Sequence, residues 1–189
     1  MALRINIQNR KLRFVNKNIA VVSLLFIFTI FMQALLFSQT KSDLTGKLVE
    51  NSSKEITIHQ EVDFKVTPQK LYRALLSSKE FSTSTKKSFT TFSETSATID
   101  STIGGTFSLF DGHIIGRILE LVPNQRIVEA WRVVDWPAGV YSIAKFEFNS
   151  QGSGTHLIFD HIGFPKGLKE HLSDGWKEHY WNALNNYFH

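Results

Sequence analysis

His161 is the residue that its sequence context best places to carry chemistry. It lies in the run 155–163, where Leu157 and Phe159 share its side when the run is counted by twos as a strand. An inward imidazole could serve as a general base or contact a bound molecule. The interpretation that we favour is a histidine at the rim of the core satisfied by a backbone carbonyl, because no carboxylate or nucleophile accompanies it in a recognisable motif.

The remaining chemistry-bearing residues form no recognisable constellation. His171 and His179 are eight residues apart, about 12 Å along a helix, which is too far for one metal ion. Asp111 and Asp135 stand in turn contexts, and Glu129 lies in a strand where its side chain could point either way. We therefore predict no catalytic set, no metal site and no cofactor. The other histidines are expected at the surface: His59, His113, His156 and His189.

The chain has no cysteine, which excludes disulfides, cysteine nucleophiles and thiolate metal sites. Its formal net charge is +4, but five positive charges lie in the N-terminal tail, so the rest of the chain carries −1. A nucleic-acid-binding domain needs a basic patch of its own. We therefore predict no nucleic-acid partner.

Strands followed by one long helix must position these residues. Alternation over 56–64 predicts a first strand, Thr67-Pro68 begins a short helix, and Ser78 caps a second one reaching about Lys86. Asp111-Gly112 is typical of a hairpin turn. Turn residues at this spacing predict an antiparallel meander. Its predicted strands cover 88–95, 98–103, 106–110, 113–122, 126–134, 141–150 and 155–163.

From about Lys166 to Phe188 the apolar residues recur every three or four positions, which is the spacing of a helix. Its apolar stripe consists of Leu168, Leu172, Trp176, Tyr180, Leu184 and Tyr187, widened by Trp181 and Phe188. Gly175 would allow this helix to approach the sheet closely. The element order predicts an α+β fold in which a curved antiparallel sheet grips a long C-terminal helix.

Six residues are the candidate wall of a cavity between that sheet and helix. Apolar and aromatic side chains with a few polar groups are typical of pockets that bind small molecules. The alternative interpretation is an ordinary packed core. The candidates are Phe107, Trp131, Phe146, Phe159, His161 and Trp176.

The N-terminal region predicts a membrane-spanning or signal helix ahead of the domain. A basic tail, 1–18, precedes an uncharged apolar stretch, 19–37, which is long enough for a hydrocarbon core of about 30 Å. A polar linker follows over 38–54, and the domain covers 55–189. The positive-inside rule places the N-terminus in the cytoplasm and the domain outside it, as a single-pass membrane protein. The alternative is a cleaved signal, which leaves a secreted or periplasmic domain.

The domain resembles the activator of heat-shock-protein-90 ATPase homologue family, of the START-like or SRPBCC superfamily with its helix-grip fold. The resemblance extends from about Ile56 to Phe188. The residues that carry it are Phe107, Phe110-Asp111-Gly112, Gly116, Glu120-Leu121-Val122-Pro123, Arg126-Ile127-Val128, Trp131-Arg132, Trp136-Pro137, Gly139, Gly154-Thr155, Leu157, His161, Gly163, Pro165, Gly175-Trp176 and Tyr180.

The resemblance implies three functions. START-like relatives commonly bind apolar molecules between sheet and helix, so we expect a non-catalytic domain that binds a hydrophobic small molecule or lipid, tethered to the membrane through 19–37 or exported. A second expectation is a co-chaperone-like interaction module, which requires the domain to be cytoplasmic because the chaperone is cytosolic in most cells. A third is a cyclase- or hydrolase-like enzyme that uses the same cavity.

Overall fold

The computed structural model describes three stretches of the chain. They are residues 32–50 except 34 and 48, residues 56–86, and residues 96–189. The chain divides into two units, the first ending at Asn51 and the second beginning at Ser52.

In the first unit, the described residues between 32 and 50 are helical and their side chains are exposed. No helix in the described stretches is long and apolar enough to cross a membrane. Most of the predicted hydrophobic segment 19–37 lies outside the described residues. The membrane-spanning or signal helix therefore stays a prediction.

The second unit begins with a strand and two short helices, as predicted. Strand β1 is Thr57–Phe64, helix α1 is Pro68–Leu76 and helix α2 is Ser78–Thr85. Pro68 opens α1, where its missing N–H has no helical partner to lose. The cap of α2 is Ser77, one residue before the predicted Ser78, and its Oγ accepts a hydrogen bond from the Glu80 N–H at 3.2 Å.

The sheet has seven antiparallel strands in the order β1-β7-β6-β5-β4-β3-β2. The first strand pairs with the last, so the meander folds back on its start. The predicted α+β architecture with an antiparallel sheet is confirmed. The remaining strands are β2 Thr98–Ile99, β3 Thr106–Leu109, β4 Ile114–Val122, β5 Arg126–Val133, β6 Ser142–Gln151 and β7 Gly154–Ile162.

The C-terminal helix is not a continuous α-helix. Helix α3, Lys169–Trp176, leads into a π-helical turn, Lys177–Asn182, and then into helix α4, Ala183–Phe188. The wider turn rotates the downstream residues relative to an α-helix. The adjacent residues Tyr180 and Trp181 in this turn are both buried, whereas Tyr187 near the end of the helix is 39% exposed.

Several predicted boundaries differ from the structure. The strand expected at 98–103 ends at Ile99, and the one expected at 88–95 lies outside the described residues. The C-terminal helix begins at Lys169 rather than Lys166, because Gly167 has a φ of 81°, which a right-handed helix excludes. The expected close approach at Gly175 is wrong: a Cβ there would meet nothing nearer than the His179 ring at 4.0 Å.

Candidate functional site

Trp176 forms the centre of the packing between helix and sheet. Its side chain is buried, and its ring lies 4.1 Å from Tyr180 and 4.3 Å from Phe159 between centroids. Four further rings surround it at 5.5–5.8 Å, contributed by Trp131, Phe146, His161 and Trp181. Four of the other five predicted wall residues, Trp131, Phe146, Phe159 and His161, therefore contact the Trp176 indole.

Phe107 occupies a separate position. It is buried on β3, opposite Gly116 of β4. A Cβ at Gly116 would overlap the Phe107 ring and the Ala130 carbonyl, so the aromatic ring fills the space that glycine leaves.

His161 is held by a chain of hydrogen bonds that determines its tautomer. The Trp176 Nε1–H can only donate, so His161 Nδ1 accepts, at 2.9 Å. Nε2 then carries the proton and donates to Ser142 Oγ at 2.6 Å. Ser142 Oγ donates in turn to the Trp131 carbonyl at 2.9 Å. Side chains from β6, β7 and α3 thus lock the imidazole in its neutral form.

This arrangement is that of a structural histidine. Burial lowers the pKa of His161 to about 3, and a proton on Nδ1 would face the indole N–H of Trp176. A general base needs a lone pair directed at substrate, and the lone pair of His161 is already used. The satisfied core histidine of the sequence analysis is therefore favoured, with Trp176 and Ser142 as its partners in place of a backbone carbonyl.

A partly open cleft of about 130 Å³ lies beside this cluster, between α3 with its π-helical turn and the β3–β5 end of the sheet. An engineered apolar cavity of about 150 Å³ in another protein accepts benzene, so the space suits a group the size of one aromatic ring. The lining residues are Phe110, His113, Ile114, Trp131, Val133, His171, Leu172, Gly175, Trp176, His179 and Tyr180. Of the six predicted wall residues, Trp131 and Trp176 are among them.

A carboxylate also faces the interior of the sheet. Glu129 pairs with Ile118 on one side and Ala144 on the other, and Ala144 pairs with His161. Directly paired residues share one face of an antiparallel sheet, and these three neighbours are 0–1% exposed. Glu129 therefore points toward the helix from the middle of the same lateral row as His161.

The surroundings of Glu129 favour its neutral form. Desolvation raises the pKa of its carboxyl to about 8. The residue nevertheless keeps some accessible surface. A carboxyl at the base of a recess satisfies both observations, because dense protein surrounds it while a water-sized space still reaches it.

Two polar atoms near Glu129 are buried without a hydrogen bond. Trp131 Nε1 and the Tyr180 hydroxyl have no partner among the described residues. The two groups are close enough for the indole N–H to affect the pKa of Tyr180, which burial and the nearby Glu129 charge raise. Unpaired polar atoms in a protein interior are rare and call for a physical explanation.

Sequence reasoning missed the inward direction of Glu129 and the roles of Ser142 and Tyr180. The signal for Glu129 was present: it lies two residues from Trp131, which was itself predicted to face inward. Ser142 carried no such signal, because its role depends on pairing between β6 and β7.

The outer face of β1 and β7 carries a second set of histidines. His59 Nδ1 lies 2.7 Å from Asp160, and His156 Nδ1 lies 2.8 Å from Asp63. These contacts, with Glu61 between the two rings, raise the pKa of both imidazoles. Both histidines lie at the surface as expected. No group in the described stretches brings three histidine, cysteine or acidic side chains together as metal ligands.

We expect His161 to titrate separately from His59 and His156 in a ¹H–¹³C NMR titration. His161 should show no midpoint above pH 4, whereas His59 and His156 should have midpoints above 6.5. Stability from the two surface histidines is complete below pH 6.5 and is lost as the pH rises through their folded pKa. Asp160→Asn should return His59 toward 6.5 and leave His156 unchanged. A His161 midpoint near 6.5 would contradict the buried network.

The fold and the sequence match known proteins. Residues 65–189 match the model of a family described as "Activator of Hsp90 ATPase homolog 1-like protein". The chain is 28% identical over 125 residues to the human "Activator of 90 kDa heat shock protein ATPase homolog 1", covering 66% of this chain and 35% of that protein. It therefore spans about a third of the human relative's length.

Solved structures share the fold. A crystal structure of an HSP90 activator from Plasmodium falciparum superposes with a TM-score of 0.62 and 26% identity, covering 68% of this chain and 93% of the other. The solution structure of the Aha1 dimer from Colwellia psychrerythraea gives a TM-score of 0.55 at 18% identity, covering 69% and 94%. The second match is evidence for the fold alone.

Proposed function

The chain belongs to the family of activator of Hsp90 ATPase homolog 1-like proteins, and we propose that it is a non-catalytic module that binds an apolar small molecule between sheet and helix. The observation that supports this proposal is the cleft of about 130 Å³ lined mainly by aromatic and aliphatic side chains. Such a lining, with few polar groups, is typical of small-molecule sites.

The non-catalytic part of the proposal is supported by the hydrogen bonds of His161. Both of its ring nitrogens are engaged, by Trp176 and Ser142, so it cannot take a proton from substrate without losing a buried partner. A cyclase- or hydrolase-like activity would have to use a different group.

Gly175 provides a test of the binding proposal. It lines the cleft, and a Cβ built on it meets no atom closer than 4.0 Å. Gly175→Leu should fill the cleft, and Gly175→Ala should stabilise the helix by up to about 1 kcal/mol while leaving most of the space open. We expect the full-length chain to bind ethylbenzene saturably, measured by tryptophan fluorescence and ligand-observed NMR. Binding should persist in the alanine variant and disappear in the leucine variant. Absence of saturable binding to the unmodified chain would refute the proposal.

A second candidate is contact with an Hsp90-type chaperone. It is favoured by the 26% identity to the Plasmodium falciparum HSP90 activator, almost all of which this domain covers. An increase in the ATPase rate of such a chaperone on adding the full-length chain would support it. No increase at concentrations well above those of the chaperone would count against it.

The location of the domain separates the two candidates. We propose that the apolar stretch 19–37 is a membrane anchor, with the basic tail in the cytoplasm and the domain outside it, or a cleaved signal that releases the domain. Either arrangement separates the domain from a cytosolic chaperone but not from a small molecule. Protease accessibility of the domain from the cytoplasmic side alone would overturn this topology and favour the chaperone.

A further inference from the structure

Two of the polar atoms at the cleft are buried hydrogen-bond donors. Trp131 Nε1–H can only donate, and the Tyr180 hydroxyl has a proton to donate. Both residues line the cleft, both are at least 95% buried, and neither polar atom has a partner among the described residues. The indole N–H is directed toward the Tyr180 hydroxyl but makes no hydrogen bond of normal geometry, and the hydroxyl proton has no acceptor among the described residues. A ligand oxygen would complement both donors.

Glu129 lies close to Tyr180 on the sheet side, although it is not among the residues that line the cleft. Its position in the row between Ile118 and Ala144 directs it toward the helix, close enough to Tyr180 that ionisation of Glu129 would raise the pKa of the tyrosine. Because burial raises its pKa to about 8, the carboxyl is mostly protonated at pH 7 and can donate a hydrogen bond. A neutral carboxylic acid next to a tyrosine hydroxyl is a known way to hold a ligand oxygen in other proteins.

We propose that the molecule bound in the cleft is an aryl compound with a hydrogen-bond-accepting oxygen, such as a ketone, which accepts from Trp131 Nε1 and the Tyr180 hydroxyl. This inference rests on the proposed function and adds the ligand's chemical class to it. The ring occupies the apolar cleft against Trp131 and Trp176. Because both donor atoms are buried, binding requires the Tyr180 side chain, which lies on the π-helical turn, to move slightly so that the oxygen can reach them.

Three probes of nearly equal size separate the alternatives: acetophenone, ethylbenzene and 1-phenylethylamine. We expect the full-length chain to bind acetophenone about tenfold more tightly than ethylbenzene, as one to two buried hydrogen bonds imply. Tyr180→Phe should bring the ratio of the two affinities close to one. Tyr187→Phe removes a hydroxyl from an exposed tyrosine on the same helix and should leave the ratio unchanged.

Each alternative result has a distinct meaning. Equal affinity for acetophenone and ethylbenzene would overturn the oxygen-recognition proposal and leave the apolar binding function intact. Tightest binding of 1-phenylethylamine, lost in Glu129→Gln, would overturn it in favour of a cationic ligand paired with an ionised Glu129. Binding of none of the three probes would refute the proposed function as well.

Discussion

Replacing Trp176 with alanine should lower the free energy of unfolding by about 3–5 kcal/mol, the range for removing a large aromatic side chain from a core. The residue is 2% exposed and its ring contacts six other rings. Alanine also removes the donor to His161 Nδ1. The expected loss therefore combines a cavity with a buried nitrogen left unpaired.

Two matched variants separate these effects in urea unfolding of the full-length chain at pH 7. Trp176→Phe keeps a ring but removes the N–H, so its loss should be smaller, about 1–3 kcal/mol for the unpaired nitrogen. Tyr187→Ala introduces the same alanine in the same helix at a position 39% exposed, and should cost less than about 1 kcal/mol. If Trp176→Ala were no more costly than Tyr187→Ala, Trp176 would not be the centre of the interface.

The comparison of Trp176 with Tyr187 also shows what the sequence could predict about the helix. Spacing of three and four residues placed both in one apolar stripe, and this is correct for Trp176, Tyr180 and Leu184. The π-helical turn from Lys177 to Asn182 lies inside that stripe, and Leu184 beyond it is still buried, whereas Tyr187 near the end of the helix is exposed. Periodicity cannot reveal an insertion of this kind, because Trp181 and Tyr180 are both aromatic and fit either phase.

The sheet was more predictable, because strand alternation and turn residues are local signals. The antiparallel meander and the inward direction of His161 follow from them, and both agree with the structure, whereas the pairing of β1 with β7 was not predicted. The hydrogen-bond partners of His161 do not follow from local signals, because Ser142 and Trp176 are 19 and 15 residues away in sequence. They reach His161 only through strand pairing and helix packing. The direction of Glu129 was only partly predictable. Alternation from Trp131 predicts that its side chain points inward, but the cost of burying a carboxylate argues against that direction.

The cost of burying the ionised Glu129 carboxylate predicts that Glu129→Gln will change the free energy of unfolding by an amount that depends on pH. The pKa of Glu129 is about 8 in the folded protein, against an ordinary value of 4.5. Its stability contribution is therefore complete below pH 4.5 and is lost as the pH rises through 8. Glutamine has no such dependence, so the variant should gain stability relative to the unmodified chain by up to about 1.4 kcal/mol per pH unit across that window. The accessible part of Glu129 will reduce this slope.

His161 makes the opposite contribution in the same structure. Its pKa is about 3 when folded and 6.5 otherwise, so its stability contribution is complete above pH 6.5 and is lost as the pH falls toward 3. Between pH 4.5 and 6.5 the contributions of the two buried groups offset each other, and above 6.5 only Glu129 of these two still titrates. Urea unfolding of both chains at pH 5, 6.5 and 8 isolates Glu129, because His161 and the surface groups cancel in the difference. A difference that stays constant from pH 5 to 8 would place the Glu129 carboxyl in solvent. The neutral carboxyl proposed beside Trp131 and Tyr180 would then be absent.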